Sequence, residues 1–263
     1  MAGFIIIPLA LIVYYGLTDK SGAFTLANIM SMATPEHRKA LWLSLQLSFI
    51  STAICLILAY PLAMILRNRG MGQGSFIVFI FILPMWMNFL LRTLAWQTLL
   101  EKSGVINGIL TALHLPHQNL INTPGAIVLG MVYNFLPFMV LPIYVSIEQL
   151  DTRLLEAASD LGAKPLTAFR KVTLPLTMPG IAAGTILVFI SSLGMFVVPD
   201  VMGGAKSALI GNLIQNQFLS ARDWPFGSAL SIVLAVLSLV LIILYYKALQ
   251  AQEGGDGDAK DVA

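Results

Sequence analysis

Three groupings of reactive residues stand out in the sequence, and each would need its own scaffold to act. His114 and His117 form H-x-x-H within "LHLPHQ". On one helix face two imidazoles at that spacing can share a metal ion. Here a proline intervenes and no carboxylate is near, so they are expected as polar loop residues and no metal site is assigned. "GMGQGS" at 70–75 has the glycines of a phosphate-cradling loop. It lacks the strand-to-helix setting, and nowhere does the chain carry G-x-x-x-x-G-K-[ST], so it reads as a turn and the chain supplies no ATP site of its own. Ser44, Ser48 and Ser51 recur at helical spacing in an apolar run. A hydroxyl nucleophile needs a base beside it, no His accompanies them, and small polar residues of this kind pack membrane helices together. Cys55, alone in the chain, makes no intrachain disulfide and is expected to behave as a small lipophilic residue. No catalytic residue is assigned.

The elements that must carry any site are apolar to an unusual degree. Of 263 residues, 57% are hydrophobic and 11% charged, and the mean hydropathy is +0.84. Soluble domains carry about 25% charged residues. A net charge of +2 gives no hold on nucleic acid. Six apolar segments, at about 3–17, 41–66, 75–97, 125–147, 178–199 and 227–247, predict an all-α, polytopic membrane protein with six spans. Helices are required because lipid offers the backbone no hydrogen-bond partner, and no segment shows the two-residue alternation of a membrane β-barrel. The first segment has no basic flank or cleavage signal and reads as a membrane helix, not a signal peptide. The expected organisation is a transmembrane domain over 1–252 and a disordered polar tail over 253–263. With both termini on one side, Lys and Arg divide eight against seven. The denser basic segments, 67–74 and 148–177, favour termini inside. Gly130, Gly184 and Gly194 are expected at close helix contacts.

One segment breaks the apolar pattern. Between residues 148 and 175 lie Glu148, Asp151, Arg153, Glu156, Asp160, Lys164, Arg170 and Lys171. At about 2.5–3.5 kcal/mol per charge at the bilayer centre, burying them would cost roughly 20–28 kcal/mol. The insert 148–177 must therefore lie outside the membrane. Its syntax predicts a helix–turn–helix: Asp151 as N-cap, an apolar stripe of Leu154, Leu155, Ala158 and Leu161, Gly162 as the stop, and Pro165 at the start of a second helix. Pro175 and Pro179 are expected to end that helix and open the next membrane segment. Physically such an element is either a lipid-surface anchor or a dock for a soluble partner.

The insert resembles the EAA loop of permease subunits of bacterial binding-protein-dependent ABC importers. That pattern is E-A-A, three residues, G, nine residues, I-x-L-P. This chain has Glu156, Ala157 and Ala158, then Gly162, then Val172, Leu174 and Pro175, with Val for Ile as the one departure. "VYNFLPFMVLPIYVSIEQLD", "LPLTMPGIAAG", "DVMGGAKSALIGNLIQNQF" and "RDWPFGSALS" extend the likeness, over about 41–247, to the spermidine/putrescine group of these permeases. The resemblance implies a type I importer permease in the bacterial inner membrane with cytoplasmic termini. It implies a second permease subunit, two copies of a cytoplasmic ATPase that bind ATP and Mg, and a periplasmic substrate-binding protein. It makes Glu156, Ala157, Ala158, Gly162, Leu174 and Pro175 the ATPase-coupling residues. Import of another small solute (ferric iron, a phosphonate or an opine) stays open within the class. A secondary transporter or a membrane enzyme is the reading from another class.

No Asp, Glu, Lys or His stands in the middle of a predicted span, which argues against a proton-driven carrier. A polyamine path should offer carboxylates and aromatic faces, because a cation over a ring gains about 0.5–2 kcal/mol. Asp200, at the end of the fifth predicted span, is the expected entry carboxylate. Trp86, Trp96, Tyr133 and Phe138 are the candidate path aromatics. Asp223 and Trp224 are candidate contacts for the binding protein.

Overall fold

The computed structural model describes residues 2–19, 21–68, 83–204 and 208–257. Among them the chain is helical, with one isolated antiparallel bridge, Thr18 to Phe24. Among the described residues four helices are long and apolar enough to cross a membrane: Pro35–Arg67, Pro124–Glu148, Pro165–Leu193 and Trp224–Lys247. They match four of the six expected segments. The first expected segment is the helix Ala2–Gly16, whose 15 residues reach about 22 Å, short of the roughly 30 Å hydrocarbon layer.

The expected third span departs most from its prediction. Residues 75–82 lie outside the described residues, as does the predicted turn at 70–75. The remainder of that segment forms a short 3-10 turn, Leu83–Trp86, and a separate helix, Phe89–Leu100. Asn88 makes the break: its side chain accepts from Leu90 N at 2.8 Å and Leu91 N at 3.4 Å, a helix start inside an apolar run. The fifth span also differs. It ends at Leu193, and Val197–Met202 is a short helix of its own. The last helix runs to Gly257, into the stretch expected as a tail; Ala251, Gln252 and Glu253 are good helix formers.

The chain divides into two compact units. One comprises Met1–Ser44, Gly194–Phe196 and Ala208–Ala263. In it the helix Ala2–Gly16 lies along Trp224–Gly257, and Met32, Ile210 and Leu230 form a buried core with Leu213 and Phe226 packed on it. Ser44 Oγ accepts from Ile210 N and donates to Ala40 O, both at 2.8 Å. Asn212 accepts from Leu209 N at 3.1 Å and donates to Phe196 O at 2.9 Å.

The other unit comprises Leu45–Leu193 and Val197–Ser207. Its centre is a hairpin of Pro124–Glu148 against Pro165–Leu193. Close approach depends on small residues: a Cβ on Gly180 would fall 2.6 Å from Pro142 O, and one on Gly184 3.2 Å from Met139 O. Gly130 is equally confined, against Val198 and Met202, whereas a Cβ added to Gly194 would meet nothing within 4 Å, so its missing side chain is not what permits close packing there. Cys55 donates to Val132 O at 3.8 Å and Ser51 to Met131 Sδ at 3.6 Å, bringing the Pro35–Asn68 helix onto the hairpin.

Burial is distributed as in a protein whose solvent is lipid. Ser44, Ser48, Ser51, Asn134 and Ser192 are buried, while Phe4, at 90% exposure, Phe49, Ile57 and Leu239 face outward.

Candidate functional site

The charged insert folds as its residues dictate. Asp151 takes an extended backbone, and its carboxylate accepts from Arg153 N at 3.0 Å, opening the helix Thr152–Asp160. Gly162 stops it in the left-handed region at φ +78°, where an L side chain is disfavoured. Ala163 N bonds back to Ala158 O at 3.0 Å, closing the turn. Pro165 then stands at the first helical position, where a missing N–H costs nothing.

The second helix does not end at Pro175 and Pro179 as expected. It passes through a π turn, Phe169–Thr173, and continues as the Pro165–Leu193 helix. The prolines are tolerated because Pro175 and Pro179 stand in the first turns of Leu174–Leu176 and Met178–Leu193, where a missing N–H costs little. Thr177 Oγ1 donates to Thr173 O at 2.9 Å and to Leu174 O at 3.1 Å, and it bonds Tyr60 Oη at 2.9 Å. Arg67 Nη2 reaches Leu150 O at 3.1 Å, tying the far end of the long helix to the start of the insert. The second arm is therefore the root of a span and not a separate short helix.

The insert presents its apolar side to solvent. Leu161 is 89% exposed, Leu166 70% and Leu154 48%. Glu156, Ala157 and Gly162 are exposed beside them, Ala158 and Leu174 half-buried, and Pro175 exposed. Three uncovered leucines flanking an acidic residue and two alanines make a surface that a partner can cover closely.

The expected path residues fall on three packed elements. Val197–Met202, which carries Asp200, packs against Phe89–Leu100 and against Pro124–Glu148. Asp200 is exposed there, on a short helix and not at the end of a span. Trp96 and Tyr133 meet edge to face at 5.4 Å between ring centres. Phe138 pairs instead with Phe135 at 6.3 Å, and Trp86 is 78% exposed on the 3-10 turn. In the first unit Trp224 packs against Tyr15 and Phe218, and Asp223 accepts from Phe226 N at 3.2 Å as a helix cap. His117 Nε2 lies 3.1 Å from Thr111 Oγ1, and His114 sits at φ +58° just after a helix end.

One residue escaped sequence reasoning. Arg92 is only 7% exposed, its Nε and Nη1 have no hydrogen-bond partner, and its guanidinium stands 5.7 Å from the centre of the Phe89 ring. The signal was a lone Arg inside an apolar segment. Asn134, buried on the neighbouring hairpin helix, likewise has an unpaired Oδ1.

With this geometry in hand, comparison with known proteins defines the class. The family of binding-protein-dependent transport system inner membrane components matches residues 56–252, and the chain belongs to it. Among individual proteins, the chain is 41% identical over 253 residues to the spermidine/putrescine transport system permease protein PotB of Haemophilus influenzae, covering 93% of this chain and 88% of that protein. To PotB of Escherichia coli it is 43% identical over 227 residues, covering 86% and 82%. In fold it is similar to a chain in the crystal structure of a bacterial ABC transporter that imports alginate, with a TM-score of 0.79 and 94% and 90% coverage at 18% identity.

Proposed function

We propose that this chain is a pore-forming permease subunit of an ATP-driven importer that carries spermidine or putrescine across the bacterial inner membrane. The observation that carries the reading is the insert: an uncovered leucine surface around Glu156, Ala157 and Ala158, continuous with a membrane helix, in a chain more than 40% identical to PotB over most of its length. In this reading a second permease subunit completes the pore. Two copies of a cytoplasmic ATPase hold ATP and Mg and clamp the insert. A periplasmic binding protein delivers the cargo, and both termini of this chain are cytoplasmic. Glu156 and the alanines sit in the ATPase cleft, and Gly162, Leu174 and Pro175 shape the link to the span. Asp200 meets the cationic cargo, and the paired rings of Trp96 and Tyr133 lie on the two helices packed against its own.

Uptake of labelled spermidine and putrescine, in cells expressing the chain with its partner subunits, tests this. Glu156→Arg is expected to leave the protein in the membrane and to abolish uptake. Asp200→Asn is expected to lower uptake at unchanged protein level. Normal uptake with Glu156→Arg would remove the coupling role. Normal uptake with Asp200→Asn would remove the entry role, and transport of neither polyamine by the wild type would remove the cargo.

A further inference from the structure

An open groove of about 670 Å3 lies in the first unit, lined by Tyr14, Tyr15, Thr18, Asp19, Arg222 and Trp224 among others. It forms where one end of the first helix meets the start of the last. A Cβ on Gly16 would lie 3.1 Å from Ala229 N, so the two helices run antiparallel with these ends together. The rings form a continuous edge: Tyr14 to Tyr15 at 5.6 Å, Tyr15 to Trp224 at 6.1 Å, and Trp224 to Phe218 at 5.8 Å. Tyr and Trp at the ends of apolar helices mark the level of the lipid headgroups. Beyond the rings, Phe4, Ile7 and Leu11, on the face of the first helix that carries Tyr14, are exposed, an apolar track leading away from the groove.

Two charges of opposite sign border the rings. Asp19 Oδ1 accepts from Ser21 N at 2.8 Å, Ser21 Oγ at 2.6 Å and Ala23 N at 3.0 Å. These bonds hold the carboxyl below its usual pKa and leave Oδ2 to accept from a ligand. Arg222 is exposed and held at φ +52°. An arginine in that region costs energy, and such cost persists where a side chain's placement is used.

We propose that this groove binds the headgroup of a zwitterionic phospholipid bearing a primary ammonium, with its phosphate on Arg222 and its ammonium on Asp19 beside the aromatic rings. Its acyl chains lie along the apolar track of the first helix. A polyamine fits poorly, because it carries only cationic groups and would set one against Arg222. An anionic lipid without an ammonium leaves Asp19 facing negative charge. Headgroup binding here is independent of the cargo proposed above.

Native mass spectrometry of the full chain in mild detergent, with equal amounts of phosphatidylethanolamine and phosphatidylglycerol, tests it. Phosphatidylethanolamine is expected to be retained about tenfold over phosphatidylglycerol, and Asp19→Asn and Arg222→Gly are each expected to lower that retention about tenfold, as loss of one charge-assisted hydrogen bond requires. Glycine accepts the backbone of residue 222, so Arg222→Gly should keep or raise the lipid-free melting temperature and separates lost binding from lost folding. Equal retention of the two lipids, undiminished retention by a folded Arg222→Gly, or release of the lipid by spermidine or by the periplasmic binding protein would overturn the proposal.

Discussion

Arg92 is the residue whose chemistry conflicts most with its surroundings. It is buried on the Phe89–Leu100 helix, two of its donors are unpaired, and its guanidinium lies over the face of Phe89. A buried donor left unpaired costs about 1–3 kcal/mol, and replacing buried charge by an apolar side chain of similar volume is often neutral or stabilising. Arg92→Met is therefore expected to raise the melting temperature of the detergent-purified protein. A fall would show that the guanidinium is satisfied within the chain and stabilises it. Arg92 stands inside the expected 75–97 segment, and the cap at Asn88 makes it part of the first turn of a separate helix, where it is buried. The insert was more legible. Asp151, Gly162 and Pro165 each have a local preference strong enough to act without tertiary help, and each stands where that preference places it.

Elements were legible where length and apolarity agreed, and illegible where the place of a single residue in the helix decided. Pro175 and Pro179 predict a boundary, yet each stands in the first turn of a helical stretch, where a missing N–H costs little, and the stretches run on as one helix. That continuity joins the insert directly to the hairpin of Pro124–Glu148 and Pro165–Leu193. Its closest point is Gly180, where an added Cβ would lie 2.6 Å from Pro142 O and 2.5 Å from Ser146 Cβ. Neither neighbour is the free end of a flexible chain, so the two helices would have to part. Gly180→Leu is expected to destabilise by at least about 1–3 kcal/mol, the usual cost of overpacking. Thermal unfolding in detergent would check this, with Gly194→Leu as the comparison, since a Cβ added there would meet nothing within 4 Å. Equal loss in the two variants would mean that the hairpin contact is not the seat of the effect.

At the scale of the whole molecule, orientation decides whether the insert can reach an ATPase at all. The eight-to-seven division of basic residues leaves it nearly undetermined, and buried polar groups say only that the outer surface faces lipid. Chemistry can settle it. Cys55 is fully buried, so the native chain carries a silent thiol. Asn119 and Ser159 are exposed and flank the Pro124–Glu148 helix. Those 25 residues extend about 37 Å, more than the hydrocarbon thickness, so the two positions must emerge on opposite sides. Cytoplasmic termini place Ser159 inside. In right-side-out vesicles a membrane-impermeant maleimide is therefore expected to label Asn119→Cys and to leave Ser159→Cys unlabelled until the membrane is permeabilised. The reverse pattern would put Glu156 and its leucines on the side without nucleotide, and the docking role of the insert would fall with it. Labelling of both positions in sealed vesicles would instead mean that Pro124–Glu148 does not span, against its length and composition.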